Sequence, residues 1–401
     1  MDRGIQLVNI PDGSYSDYRY EVIFGAYKWD PQVHDNNTVA RHVVLMQRDT
    51  AEQLEQWAEQ LSEETMQMEE ALINRLALAK KLALPPDIFR ALGRMKGYRR
   101  QDHVRLMRFD FHPTQEGWAL SEVNSDVPGG LAEASVLPHI ASRYLQQPGY
   151  SPRGHTGQAM LDSFANKIRE GGRVAFVHAT SYSDDRQVMQ FLGDYFEQAG
   201  YQAVYCAPEH VYWNGTRAAD LDAIVRFYPF EWLNVMHRKS DWTGYFSSDT
   251  PSCNHPVAIF AQSKRLPLIW DALDVELKTW KRLLPATTDP RHLRKQTGGE
   301  WILKPNLGRV GEGIGIRGAA TQSEIKTIEK AARRSPPDWV AQRMFHSLPV
   351  QASDGQDYHI CIGAFTVDGK SAGFYARVNE YPRIDENAQD IPILVREGED
   401  Q

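Results

Sequence analysis

The spacing of apolar and polar positions changes period several times along this chain, and each change marks an element. From Thr50 it is helical. Thr50-Ala51-Glu52-Gln53 has the form of a capping box, Leu54, Trp57 and Leu61 follow, and the stripe runs through Met66, Ala71, Leu72 and Leu76 until Pro85-Pro86 stops it. This long amphipathic helix reads as scaffold, with Met66 and Met68 as core filling. Ahead of it, aromatics mixed with Pro, Gly, Asp and Asn predict loops with short apolar runs such as Val43-Val44-Leu45-Met46.

Residues 104–111 and 118–124 read as two strands joined by the turn residues His112-Pro113-Thr114-Gln115-Glu116-Gly117. Residues 173–227 alternate strand and helix. Val174-Ala175-Phe176-Val177 is a short buried-type strand, and 184–199 is a helix with Val188, Phe191, Leu192, Tyr195 and Phe196 on one side, closed by Gly200. Strands at 203–206 and 223–227 complete the unit, and the alternation predicts a parallel, doubly wound sheet. A Ser, Thr, Pro and Asn cluster at 240–256 reads as a loop or junction. Beyond it, helices are expected at 264–283 and 322–334, and strands at 301–304, 339–343, 358–367 and 372–378. The expected organisation is α/β in three parts: 1–150, 151–256 and 257–401. No period of repeat length recurs.

Composition narrows the function classes. The chain has 401 residues, 42% hydrophobic, 10% aromatic and 24% charged, which excludes disordered and low-complexity readings. Forty-five Lys and Arg against 52 Asp and Glu give a net charge of −7, a poor match to nucleic acid or an anionic membrane. No apolar run approaches the ~20 residues of a membrane span, and Met1-Asp2-Arg3-Gly4 lacks the core of a signal peptide. Cys206, Cys253 and Cys361 are far apart and odd in number, so neither a disulfide framework nor a CxxC metal site is expected, and a reducing cytoplasmic location fits best. The 13 histidines show no HxxxH or HExxH spacing.

Two constellations carry chemistry. On a strand, residues two apart share a face, so Arg108 points with Asp110 and Glu122 with Asn124, and the tight turn between the strands aligns the pairs. Two carboxylates and an amide oxygen suit Mg²⁺ held together with substrate phosphates, and a guanidinium beside them opposes charge on a transferred phosphoryl or acyl oxygen. The other reading is a solvated hairpin face with one surface ion pair. Ser125-Asp126-Val127-Pro128-Gly129-Gly130 follows, a loop that allows close backbone approach to a ligand.

The second constellation is Lys304-Pro305-Asn306-Leu307-Gly308-Arg309-Val310-Gly311-Glu312-Gly313-Ile314-Gly315. A lysine at the end of an apolar strand opens a loop whose backbone N–H groups can cradle phosphates, while Lys and Arg supply charge. It is neither a Walker loop, lacking Gly-Lys-Ser/Thr, nor a protein-kinase loop, and a glycine-rich hairpin is the alternative. Gln342, on an apolar strand, can border an adenine, and Arg377, ending a later hairpin, can reach a phosphate.

Arg108-Phe109-Asp110-Phe111, Glu122-x-Asn124-x-Asp126 and Lys304-Pro305 with Gly308-Arg309-x-Gly311 resemble the synthetase domain of glutathionylspermidine synthase, in the ATP-grasp superfamily. Phe227-Tyr228-Pro229-Phe230-Glu231-Trp232, Ser263-Lys264-Arg265-Leu266-Pro267, Leu283-Leu284-Pro285-Ala286 and Asp368-Gly369 leading to Arg377 match in the same order, over nearly the whole chain. The resemblance implies an ATP-grasp-like α/β fold with a glycine-loop lid, and ATP- and Mg²⁺-dependent joining of a small-molecule or peptide carboxylate to an amine, a polyamine among the candidates. By the same resemblance Asp110, Glu122 and Asn124 hold Mg²⁺, and Arg108 stabilises the acyl-phosphate oxygens. Lys264 and Lys304 bind ATP phosphates, with Gly308, Gly311 and Gly313 in the loop that closes over them. Gln342 lies near adenine, Arg309 meets the substrate carboxylate and Arg377 completes the anionic pocket. Ser125 and Asp126 face substrate.

The chain also departs from the family pattern. No amidase part precedes the synthetase part, so a bifunctional enzyme is not expected. Where the family carries an acidic run for the polyamine, this chain has Ser181-Tyr182-Ser183-Asp184-Asp185-Arg186, in which Asp184 and Asp185 remain to meet a cationic amine. The family's Thr-Lys-Asp-Thr stretch is replaced by Ile384-Asp385-Glu386-Asn387, which lacks a lysine. The alternatives are a non-catalytic nucleotide-binding relative, or a peptide or natural-product ligase with other substrates.

Overall fold

The computed structural model describes residues 3–29, 32–33, 36–95, 97–236, 240–295, 300–309, 313–316 and 320–398. The amino-terminal segment is more ordered than its composition predicts. β1 (Ile5–Asn9) pairs antiparallel with β2 (His42–Met46), and α1 (Asp12–Gly25) lies between them. α1 buries only Tyr18 and Val22, a stripe too thin to register as a period in the sequence. α2 (Arg48–Asn74) begins ahead of the expected capping box. Gln47 is its N-cap and makes no side-chain cap, and Thr50, inside the first turn, donates its hydroxyl to the Arg3 carbonyl at 3.1 Å.

β3 (Leu106–Thr114) and β4 (Gly117–Asn124) form the expected hairpin, with Arg108 opposite Asn124 and Asp110 opposite Glu122. α3 (Leu131–Leu145) follows. β5 (Arg173–His178), α4 (Ser183–Gln198), β6 (Gln202–Cys206) and β7 (Ala223–Phe227) build the α/β unit. Its sheet runs β8-β7-β5-β6, all parallel, with β8 (Ser252–Cys253) at the edge. The stretch 240–256, expected as loop, therefore supplies an edge strand and a short helix, Gly244–Ser247. The order reverses between β5 and β7, which opens a crevice at their carboxyl ends, the usual ligand position in such sheets.

The expected helix 264–283 is broken into a 3₁₀ stretch, Leu266–Ala272, and a short helix, Lys278–Leu283. Asp274 between them has φ +54°, which no helix accommodates. β9 (Trp301–Pro305) pairs with β10 (Trp339–Arg343) across α5 (Gln322–Arg334), and Thr287–Thr288 extends that sheet. β11 (Asp357–Val367) and β12 (Lys370–Asn379) are joined by a tight turn in which Asp368 and Gly369 have φ +49° and +85°. β13 (Gln389–Ile391) pairs with β12, and β14 (Ile393–Arg396) runs parallel to β2.

The sheet that positions the site runs β13-β12-β11-β3-β4, so strands from both ends of the chain share it. Its two faces differ. Phe109, Phe111, Val123, Ile360, Ile362 and Phe374 pack against Leu54, Trp57 and Leu61 of α2, each fully buried side chain contributing about 1.5–3 kcal/mol. The opposite face is polar. Among the described residues, no helix is long and apolar enough to cross a membrane.

Candidate active site

The polar face floors a cavity of about 770 Å³. Because alternate strand residues share a face, Asn124 and Glu122 (β4), Arg108, Asp110 and His112 (β3), Cys361 (β11), Tyr375 and Arg377 (β12) and Asp390 (β13) all line it. Its other walls are Ile302 and Lys304 of β9, Arg309, and Asp184, Asp185, Phe227 and Trp232 at the carboxyl edge of the parallel sheet.

The floor's charges are paired. Arg108 holds Asp110 through two bonds, Nε to Oδ1 at 2.7 Å and Nη2 to Oδ2 at 2.9 Å, and donates to the Gly129 carbonyl at 2.6 Å. Asn124 Nδ2 also donates to Asp110 Oδ2 at 2.9 Å, which leaves its carbonyl oxygen for a cation. The Arg108 stem crosses Gly363, where a Cβ would stand 2.7 Å from Cδ, and its guanidinium lies 5.0 Å from the Tyr375 ring centre. Lys264 reaches Glu122 Oε2 at 3.0 Å and the Gly308 carbonyl at 2.6 Å, while Lys304 donates to the Ser121 carbonyl at 3.2 Å. At the far end Arg377 is bonded to the Asp385 and Ala388 carbonyls. Asp390 accepts from Tyr375 and lies 2.8 Å from Lys28, which also lies 3.2 Å from Glu133.

Burial and pairing compete in the ionisation of these groups. Burial would raise the Glu122 carboxyl, but Lys264 and Lys304 together hold it below its usual range. Burial pushes Lys304 down to about 8, with Lys264 adding to the effect against the pull of Glu122. Burial also lowers His112 to about 3, so its ring is neutral near pH 7. Asp185, at the first turn of α4, is raised to about 6 by burial. Burial pushes the thiols of Cys361, Cys206 and Cys253 up, which makes them inert rather than nucleophilic.

Most residues singled out from sequence converge here: Arg108, Asp110, Glu122, Asn124, Asp184, Asp185, Lys304, Arg309 and Arg377 line one cavity, and Lys264 reaches it through Glu122. Ser125 and Asp126 do not. Both are fully buried because the chain dives beneath the sheet after β4, where their amides donate to Gln262 and Asp126 pairs with Arg226. Gln342 shares a sheet face with Ile302 and Lys304 but is buried, its amide nitrogen Nε2 donating to the Thr287 hydroxyl at 3.1 Å while Oε1 has no partner. Gly308 and Gly313 lie in the loop after β9, the latter at φ +67°, and Gly311 falls outside the described residues. Sequence reasoning missed Lys28, Glu133, Tyr375 and Asp390, which carry no local motif.

The donor set fits Mg²⁺. Asp110, Glu122 and Asn124 offer hard oxygens on one face, and Mg²⁺ is commonly bound by one or two carboxylates plus phosphate oxygens and water. Among the described residues, no three His, Cys, Asp or Glu side chains form a closed metal cage, so phosphate oxygens would have to complete such a site.

A putative acid–amine ligase of Haemophilus influenzae is 24% identical over 255 residues, 58% of this chain and 62% of that protein, so the chain spans less than two thirds of this relative's length. The apo structure of a glutathione synthetase-like effector from Globodera pallida superposes with a TM-score of 0.60 over 88% of this chain and 89% of that one, at 10% identity. That likeness is one of fold, and the fold is mixed α/β of the ATP-grasp kind. The model of the glutathionylspermidine synthase preATP-grasp family matches residues 17–396, nearly the whole chain, and the chain belongs to that family.

Proposed function

We propose that this chain is an ATP-dependent carboxylate–amine ligase. The observation that carries the reading is the meeting, on one cavity, of an oxygen-donor face (Asp110, Glu122, Asn124) with cations from three separate segments, Arg108, Lys264, and Lys304 with Arg309. In this reading a substrate carboxylate oxygen attacks the γ-phosphorus of ATP, the bond to ADP breaks, and an acyl phosphate forms. An amine then attacks the acyl carbon, phosphate leaves, and the nitrogen loses a proton to give the amide.

Each step asks for charge neutralisation and exclusion of water more than for a strong base. Lys264 and Lys304 hold the phosphates, and Gln342, whose Oε1 has no partner, is assigned to the adenine end. Arg309 meets the carboxylate, Arg377 closes the anionic end, and Arg108 steadies the acyl-phosphate oxygens. Asp184 and Asp185 receive the amine as its ammonium form, which gives up one proton to a carboxylate or to solvent before the free amine attacks. The loop from Gly308 to Gly315 covers the phosphates. Asp110, Glu122 and Asn124 would hold Mg²⁺, which supplies further neutralisation of the phosphoryl oxygens.

The test is mass spectrometry of the product formed from a cell metabolite extract with ATP and Mg²⁺, alongside an assay of ADP release. The expected product has the mass of an acid plus an amine less one water, with one ADP released per product. Asp110→Ala and Glu122→Ala are each expected to abolish ATP consumption, and full activity in either rejects the metal assignment. ATP binding without acid- and amine-dependent turnover favours a nucleotide-binding relative without ligase activity.

A further inference from the structure

Behind the cavity wall four charged side chains, drawn from three separate stretches of the chain, make one buried array. Arg226 of β7 is ion-paired with Asp126, just past the end of β4. Asp126 Oδ2 also accepts the Phe230 amide at 2.9 Å and lies 3.6 Å from Nη2 of Arg309. The same Nη2 donates to Glu231 Oε1 at 2.6 Å, and Arg309 Nε donates to that oxygen at 3.2 Å. The charges alternate from Arg226 through Asp126 and Arg309 to Glu231. The side chains of Arg226, Asp126 and Glu231 are 1%, 0% and 6% exposed, while that of Arg309, which lines the cavity, is 19% exposed.

Two details separate this array from a contact that serves packing alone. Glu231 Oε2 is buried with no hydrogen-bond partner, a cost that an apolar side chain of similar size would not carry. The bonds to Arg309 also use only part of the guanidinium. Among the described residues Nη1 has no partner, so its two N–H groups remain for a ligand in the cavity.

We propose that Glu231 is a positioning residue: it fixes the Arg309 guanidinium through Nε and Nη2, so that Nη1 is presented to the anionic substrate. This inference rests on reading Arg309 as the group that meets the substrate carboxylate. A long arginine side chain at the start of a glycine-rich loop has many rotamers, and one carboxylate behind it selects the few that face the cavity. Asp126 acts one step further back, since Arg226 and the Phe230 amide hold it where it can attract Nη2. The loop that follows β9 is thereby tied to the carboxyl edge of the parallel sheet.

The test uses the full chain and phenylglyoxal, an arginine reagent, with the rate of Arg309 modification followed by peptide mass spectrometry. Glu231→Gln is expected to speed modification at least fivefold, and Glu231→Asp to give an intermediate rate. In the ligation reaction Glu231→Gln is expected to raise KM for the acid about tenfold, the usual effect of losing one charge-assisted hydrogen bond. KM for ATP stays within about twofold, and Glu231→Asp restores part of the acid affinity. Unchanged Arg309 reactivity overturns the proposal, as does a loss in which acid KM, ATP KM and melting temperature all shift together. Should Glu231→Gln fold poorly, Glu231→Asp carries the same two readouts. Arg309→Lys separates the two layers. If it leaves acid KM unchanged, the reading of Arg309 fails. If it raises acid KM while Glu231→Gln does not, the positioning role fails. Should no ligation be found, the modification rate alone decides whether Glu231 holds Arg309.

Discussion

The floor of the cavity and its parallel-sheet wall treat charge in opposite ways. On the floor, Arg108 is locked to Asp110 and Lys264 to Glu122, so buried charges are balanced within one or two residues. On the wall, Asp184 and Asp185 stand at the first turn of α4, and among the described residues neither has an ion-pair partner. The consequence shows in their ionisation: Glu122 is held below its usual range by its lysines, whereas Asp185 is raised to about 6 by burial. Glu122, paired, stays ionised further into acid than an ordinary carboxylate, and Asp185, unpaired, takes up its proton earlier. Under the proposed function, the floor suits the transfer of a fixed set of charges and the Asp184–Asp185 edge suits a ligand that brings the missing cation.

The strongest way to break this contrast is at Arg108. Lysine keeps the charge but cannot form the two-pronged grip on Asp110 while also donating to the Gly129 carbonyl. Arg108→Lys is expected to lower kcat by about 10²–10³, the range seen for removing one preorganised donor at a developing oxyanion. A loss below tenfold, with ADP release followed at saturating ATP, would mean that charge alone suffices there. Gly363→Ala approaches the same group from below. The added methyl would stand 2.7 Å from Arg108 Cδ and 2.9 Å from Cγ, so the guanidinium must shift. About a tenfold fall in kcat is expected, with little change in melting temperature, because residue 363 sits in ordinary strand backbone.

These two positions also show what was legible in the sequence. The hairpin announced itself because strand alternation puts Arg108 with Asp110 and Glu122 with Asn124 on one face, and a short turn fixes the register between them. The parallel unit was legible for a similar reason, since each of its strands and its helix carries its own period. Gly363 was not, because its role is to be absent beneath a side chain from a strand some 250 residues away in sequence (about the distance from β3 to β11). Lys28, Glu231 and Asp390 share that character. Each acts through a partner distant along the chain, and a lone buried Lys or Glu has no local signature. Ser125 and Asp126 were expected at the substrate, Asp126 as the last member of the Glu122-x-Asn124-x-Asp126 motif, whereas the chain is fully buried immediately after Asn124 and neither lines the cavity.

Lys304, on the β9 wall beside Glu122 of the floor, sharpens the contrast. Burial pushes its ammonium down to about 8, so the fraction able to meet a phosphate falls once pH exceeds that value. Bound triphosphate raises the value again, so nucleotide binding above pH 8 must take up a proton. Affinity for Mg²⁺–ATP is expected to be flat from pH 6.5 to 7.5 and to drop by up to about tenfold per pH unit above 8. Calorimetry in two buffers of different ionisation enthalpy measures the proton directly. A binding enthalpy independent of buffer at pH 8.5 would show that Lys304 is already charged throughout.

The wall gives the smallest expected effect and the opposite sign. The Asp185 carboxyl titrates near 6 in the folded chain, above its usual value near 3.8, so the folded state holds more protons than the unfolded state between those pH values. Stability therefore falls as pH rises through that window, and the cost persists at pH 7. Asp185→Asn removes it and is expected to raise the melting temperature at pH 7 by on the order of 2 °C, with no gain at pH 3.5, below both values. The same substitution should weaken the amine: KM for the amine rises several-fold at pH 7.5, and its further increase below pH 6, present in the native chain, disappears. The floor predicts no such exchange of stability for binding, because neutralising Asp110 or Glu122 strands a buried cation and lowers both. A variant of Asp185 that lost stability at pH 7 would place this carboxylate among the paired groups of the floor, and the division between the two regions would fall.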